Sequence, residues 1–312
     1  MSIHEQMPTL QTPPHASKLS EDVDITLRSL DGSLFRCSRA RLIEGSNVFK
    51  DMFESLPEEK ESIIDMAEPT ETLGTLVRII YEPPEELPPP VARPKFKPGE
   101  PDVLPPEEPS PSLIPLDEIR NYLYHLANKY QLTDAFIKPL HSHLLAHART
   151  SPLHVYSLAS FLGLEDISSN ASQFLLTPPV LTYSVEKARI ITTVEAFHNL
   201  LRLQTFRENA LRQILREEQV FPHDYLICRH HGTATRVLWD YRRQNVLDRL
   251  DAGTDVAEEM KSCLEAVANC PDCKRGVNSV VEMVRYKCYR VPRRICDLPV
   301  PEEADITAQS AA

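Results

Sequence analysis

The chain has 312 residues, of which 42% are hydrophobic and 25% charged, and a net charge of −11. That length suits two domains, or one domain with a helical extension, and that apolar share suits buried cores. The acidic balance argues against a chain-wide nucleic-acid footprint, which would be basic. The 8 glycines are scattered. Neither G-x-G-x-x-G nor G-x-x-x-x-G-K occurs, so the clustered glycines that let a backbone approach phosphates are absent and the common nucleotide-dependent enzymes are disfavoured.

The 7 cysteines are irregularly spaced and do not form a secreted disulfide framework. Met1–Ser20 carries Pro8, Pro13 and Pro14 and no apolar core, unlike a signal or transit peptide. Apolar runs fall short of the roughly 18 residues of a membrane helix. The expectation is a soluble intracellular protein of cytoplasm and/or nucleus, with reduced thiols and no membrane partner.

Residues 1–20 read as a disordered N-terminus. Val23, Ile25 and Leu27 then alternate with Asp24, Thr26 and Arg28, the period of a half-buried strand. Asp31-Gly32 suits a two-residue hairpin turn, and Leu34 to Cys37 reads as its second strand. From Arg39 the period lengthens, and Leu42, Val48, Phe49, Met52 and Phe53 predict two short helices, the second capped by Ser46 or Asn47. A third strand is expected over Ser62 to Met66, and a helix from Thr70 to Pro83.

Residues 82–115 hold 13 of the 27 prolines, among many acidic residues. Proline lacks an amide donor and fixes φ, so this stretch reads as an acidic insertion, semi-extended and disordered. Helical periodicity returns at Leu116, and a second helix from about Thr133 contains Pro139 and is expected to kink there. Thr192-x-x-Glu195 reads as a capping box that opens a long amphipathic helix, and further helices are expected around Trp239, around Met260 and Leu264, and over Val277 to Val284.

Phe35 to Phe53 reads F-R-C-S-R-A-R-L-I-E-G-S-N-V-F-K-D-M-F. Phe35, Leu42, Ser46, Phe49, Met52 and Phe53 fall at the steps of the BTB/POZ domain family, which this segment resembles, and Asp24 matches an Asp common in that family's first strand. Ser38 stands where the family usually has His, so that residue's role is not carried over. Leu132 to Leu176 is similar to the helical continuation of basidiomycete-type fungal members.

The fold class expected is therefore α+β, a small BTB-like sheet capped by helices, followed by an all-helical C-terminal region. The expected domains are a BTB/POZ-like domain over 21–150 interrupted by 82–115, a helical region over 151–298 and a tail over 299–312. The resemblance implies protein partners and a homodimer formed around Val23, Asp24, Ile25, Leu42, Phe49, Met52 and Phe53. Adaptor duty toward a cullin is a second implication, although the insertion falls next to where the family makes that contact. The bland reading of the apolar members of that set is core packing. A transcription co-regulator is the remaining non-enzymatic reading, and no nucleic-acid partner is expected.

Cys228-x-x-His231 and Cys270-x-x-Cys273 are two short chelating pairs. Together they would form a Cys3His set for a structural zinc ion, with no open position for catalysis; His230 is an alternative to His231. The competing readings are small buried thiols and a redox C-x-x-C, which wants a strand before it where a helix over Val256–Ala268 is expected. His143 and His147, with His141 nearby, lack a metalloprotease glutamate and read as a solvated helix face. Arg285, Lys287, Arg290, Arg293 and Arg294, beside Tyr286 and Tyr289, offer a nucleic-acid contact, against the stronger reading of a solvated face in an acidic protein. The chain is expected not to be an enzyme, since no G-x-S-x-G elbow or other nucleophile is evident.

Overall fold

A computed structural model describes residues 10–11, 24–55, 62–91, 93–98, 110–222 and 228–299. The expectations for residues 1–20 and for the tail 299–312 lie almost wholly outside these, as does Val23. The fold is α+β, and the chain divides into two units, residues 1–89 with 109–146 and residues 90–108 with 147–312.

In the first unit a small sheet has the order β1-β3-β2-β4. Its strands are β1 (Leu10–Gln11), β2 (Ile25–Arg28), β3 (Leu34–Cys37) and β4 (Ser62–Asp65). β2 runs antiparallel to β3, with Leu27 opposite Phe35, and parallel to β4. The period-two pattern holds, because Ile25 and Leu27 are buried while Arg28 faces solvent. The connection from β2 to β3 is longer than the expected two-residue turn. The Ser29 N–H bonds the Ser33 carbonyl and the Gly32 N–H returns to the Ser29 carbonyl, leaving Leu30, Asp31 and Gly32 as the loop. Gly32 has φ of +88°, the left-handed residue that closes a three-residue hairpin loop.

Of helices α1 (Arg39–Gly45), α2 (Asn47–Ser55) and α3 (Thr70–Tyr81), α1 packs on both others, and Gly74 of α3 lies against the Phe35 ring of β3. The Asp24 carboxylate accepts the Arg39 N–H at 2.7 Å, at the start of α1. Ser46 caps α2, its Oγ accepting the Phe49 N–H and donating to the Tyr130 carbonyl at 2.6 Å. That bond and a Ser46–Leu132 bridge tie the α1–α2 corner to the end of the next helical stretch. This stretch comprises α4 (Leu116–Glu118), one π-helical turn (Ile119–Leu123) and α5 (Tyr124–Lys129). α6 (Asp134–Ala146) is assigned as one helix through Pro139. Leu27, Leu42, Phe49, Leu73, Leu76, Leu123 and Leu140 form the buried interior.

The second unit is helical. α7 (Pro152–Phe161), α8 (Glu165–Ser172) and the short α9 (Val185–Ala188) precede α10 (Val194–Glu217), α11 (Gly232–Arg249), α12 (Val256–Met260), α13 (Ser262–Ala266) and α14 (Pro271–Tyr289). The cap of α10 is Thr193, one residue later than expected, with its Oγ1 accepting the Ala196 N–H at 3.1 Å. Thr192 instead donates its N–H to Ser157. Leu211, Leu215, Trp239, Val246, Met260, Val277 and Val281 share one core. Gly276 of α14 is needed for close approach there, since a Cβ would lie 2.5 Å from the Phe221 ring. Arg207 is buried, and its guanidinium donates to the Ala252, Val291 and Pro292 carbonyls. Hydrogen bonds to several carbonyls compensate much of the desolvation that makes a buried cation costly.

Residues 82–91 and 93–98 of the insertion form neither helix nor strand, as their prolines require. They are nevertheless placed by contacts, because Leu87 is buried and its N–H bonds the Ser142 Oγ at 2.9 Å. Among the described residues, no helix is long and apolar enough to cross a membrane.

Candidate metal centre

Cys228 lies just before α11, His231 is the residue preceding its first turn, and Cys270 and Cys273 occupy the start of α14. Cys270 is the N-cap and Pro271 follows as the first helical residue, where its missing N–H costs nothing. One helical turn therefore brings Cys270 and Cys273 to the same side. A ligand atom from each of Cys228, His231, Cys270 and Cys273 lies within 4.8 Å of the other three.

The separations can be compared with what a tetrahedral ion would impose. Thiolate bonds of about 2.3 Å at the tetrahedral angle put two sulfurs about 3.8 Å apart. With an imidazole nitrogen at about 2.0–2.1 Å, the sulfur–nitrogen edge is about 3.5–3.6 Å. The Cys228 and Cys270 sulfurs are 3.7 Å apart, and Cys228 Sγ is 3.6 Å from His231 Nδ1. A disulfide is a different object, with sulfurs about 2.05 Å apart, and all four cysteines of α11's approach and α14, counting Cys288, are free thiols. The donor set is the one expected, and it selects His231. The neighbouring His230 contributes its backbone instead.

The electrostatics favour thiolate at Cys228 and Cys270 and oppose it at Cys273. The N–H groups of His231 and His230, foremost among several contacts, hold Cys228 down to about 6. The N–H of Cys273, then the His231 ring, lowers Cys270. The Cys270 and Cys228 sulfurs raise His231 in return. Cys273 is pushed up to about 11, chiefly by burial, against the hydroxyl of Thr235, which turns toward its sulfur. Thr235 is buried on α11 and was not signalled by the sequence, because no spacing rule marks a hydroxyl that supports a ligand. Cys228 and Cys273 are buried, Cys270 is half-buried and His231 is exposed. Beside them opens a cleft of about 310 Å³ bounded by Leu238, Ala266 and Val267, with no Asp or Glu among its lining residues.

The other candidate groups stand apart from this centre. His143 is buried, correcting the solvated-face expectation. Its Nδ1 accepts the Ile114 N–H at 3.3 Å and its Nε2 lies 3.1 Å from the Glu85 carbonyl. Burial lowers the His141 pKa, and its ring stacks on Tyr124 at 6.0 Å. The basic run is engaged within its own unit rather than solvated throughout. Arg285 is buried against Glu282, Lys287 pairs with Glu218, and Arg294 makes two 3.0 Å bonds to Asp297. Of the residues nominated for self-association, Ile25, Leu42, Phe49 and Phe53 are buried inside their unit. Asp24 is exposed and Met52 half-exposed.

No curated protein matches this chain. The BTB/POZ domain model matches residues 15–90, which span β2 to β4 and α1 to α3, so this part of the chain carries a protein-interaction module.

Proposed function

We propose that this chain is a non-catalytic protein-interaction protein, whose BTB/POZ part self-associates and whose helical unit is closed by a structural zinc ion. The match over residues 15–90 carries the interaction reading. Scaffold and adaptor duty, a cullin among the partners, and kinship of Leu132–Leu176 to fungal members belong to this reading through resemblance alone. The exposed Asp24 and half-exposed Met52 are the described members of the nominated set open to a second copy, and a twofold dimer would use that patch twice. Light scattering on the full chain tests it: twice the chain mass of 35.4 kDa is expected, reduced to the single-chain mass by Met52→Asp. A wild type that is monomeric at micromolar concentration would remove self-association.

The zinc reading rests on the four converging donors. Four protein ligands fill a tetrahedron and leave no position for water or substrate, which is the form of a structural site. The ion would join the approach to α11 with the start of α14 and neutralise the thiolates gathered there. The same sulfurs could instead serve a thiol oxidoreductase at Cys270 and Cys273, and dithiol turnover with a model disulfide would favour that. Retained zinc without turnover supports the structural site.

A further inference from the structure

The end of α14 carries two tyrosines. Tyr286 and Tyr289 are three residues apart on one helix and therefore share a face. Residues 93–98 of the insertion, Arg-Pro-Lys-Phe-Lys-Pro, lie against that face within the same unit. Tyr289 holds the segment with three separate parts. Its ring lies 4.1 Å beneath the Arg93 guanidinium, its hydroxyl donates to the Pro94 carbonyl at 3.1 Å, and its own carbonyl accepts from Arg93 Nη1 at 3.2 Å. The Phe96 ring packs on both tyrosines, with centroids 5.3 Å from Tyr286 and 5.5 Å from Tyr289.

Arg93 and Phe96 are three residues apart, the repeat of an extended polyproline helix, and Pro94 and Pro98 restrict the backbone around them. A linear segment of this composition on an aromatic face is how proline-rich peptides are commonly recognised. The described residues 93–98 form neither strand nor helix, so side chains and single backbone groups make these contacts. Such a contact is exchangeable, and its occupancy depends on the tether, which supplies an effective concentration of roughly millimolar.

We propose that the Tyr286–Tyr289 face of α14 is a binding surface for cationic proline-containing peptides with an arginine and an aromatic residue three apart, and that residues 93–98 occupy it as a ligand in cis. The occupant in trans is a partner segment of that chemistry.

The test uses the full chain carrying Arg93→Ala and Phe96→Ala, two half-exposed positions whose replacement leaves the helical core intact. A fluorescein-labelled Arg-Pro-Lys-Phe-Lys-Pro peptide is titrated and its anisotropy read. The expected result is saturable binding to the variant at least about ten-fold tighter than to the wild type, because the tethered ligand competes. Adding Tyr289→Leu, checked for an unchanged melt, should abolish the binding. If that triple variant melts early, Tyr286→Leu takes its place with the same expectation. Equal binding to wild type and variant, or no binding to the emptied variant at millimolar peptide, would overturn the proposal.

Discussion

Cys228 Sγ and Cys270 Sγ, 42 residues apart in sequence, lie 3.7 Å apart across the start of α11 and the start of α14. The separation is that of two ligands on one ion, and it ties the chain leaving the Phe221 segment to the helix that Phe221 packs against. Removing one ligand should therefore affect more than metal content. Cys273→Ser is expected to lose bound zinc and to lower the melting temperature, because ligation and folding are linked. His230→Ala should keep both, since His231 supplies the ring nitrogen. Zinc content by atomic emission and a thermal melt check the pair.

Gly276 should not tolerate a methyl group. A Cβ there would meet a Phe221 ring that is itself buried and cannot swing aside. Gly276→Ala is expected to destabilise the chain by about 1–3 kcal/mol through overpacking, despite alanine's better helix propensity. Urea denaturation should show the transition moving to lower denaturant.

The two pairs C-x-x-H and C-x-x-C were legible because chelation imposes a spacing that survives in the sequence. Ile25, Leu27, Leu42, Phe49 and Phe53 were legible because strand and helix burial impose periods. His143 was not. H-L-L-A-H looks like a polar face, and its partners, Glu85 and Ile114, are distant backbone groups that no pattern marks. Arg207 was missed for the same reason, since its acceptors are carbonyls. Arg93 and Phe96 were hidden by composition. Proline forbids helix and sheet interior, and this says nothing about whether an irregular segment docks.

His143 braces both sides of the insertion. Because its Nδ1 accepts the Ile114 N–H, the ring proton sits on Nε2 and donates to the Glu85 carbonyl. His143→Ala leaves both backbone groups without those bonds, and a cost of about 1–3 kcal/mol is expected. Hydrogen exchange at the Ile114 amide should accelerate, and unchanged protection there would contradict the role.

Glu68 should make stability acid-sensitive. Burial alone would raise its carboxyl, but the Lys129 ammonium and the Tyr130 hydroxyl outweigh it and hold the group below its ordinary range. The folded state thus favours the carboxylate. Its contribution is complete above the unfolded Glu value of about 4.3 and is lost as pH falls through the lower folded value. Glu68→Gln is expected to cost about 1–3 kcal/mol at neutral pH and to flatten the acid limb. An unchanged limb in urea melts between about pH 5 and pH 3 would show that Glu68 is not its source.

The most direct measurement of the central claim is the metal bound to purified full-length protein, with X-ray absorption to read its ligands. The account predicts one zinc per chain, held by three sulfurs and one nitrogen and absent from Cys270→Ser. A wild type that is metal-free yet folded and equally stable, or a zinc with an open water-bound position, would contradict it.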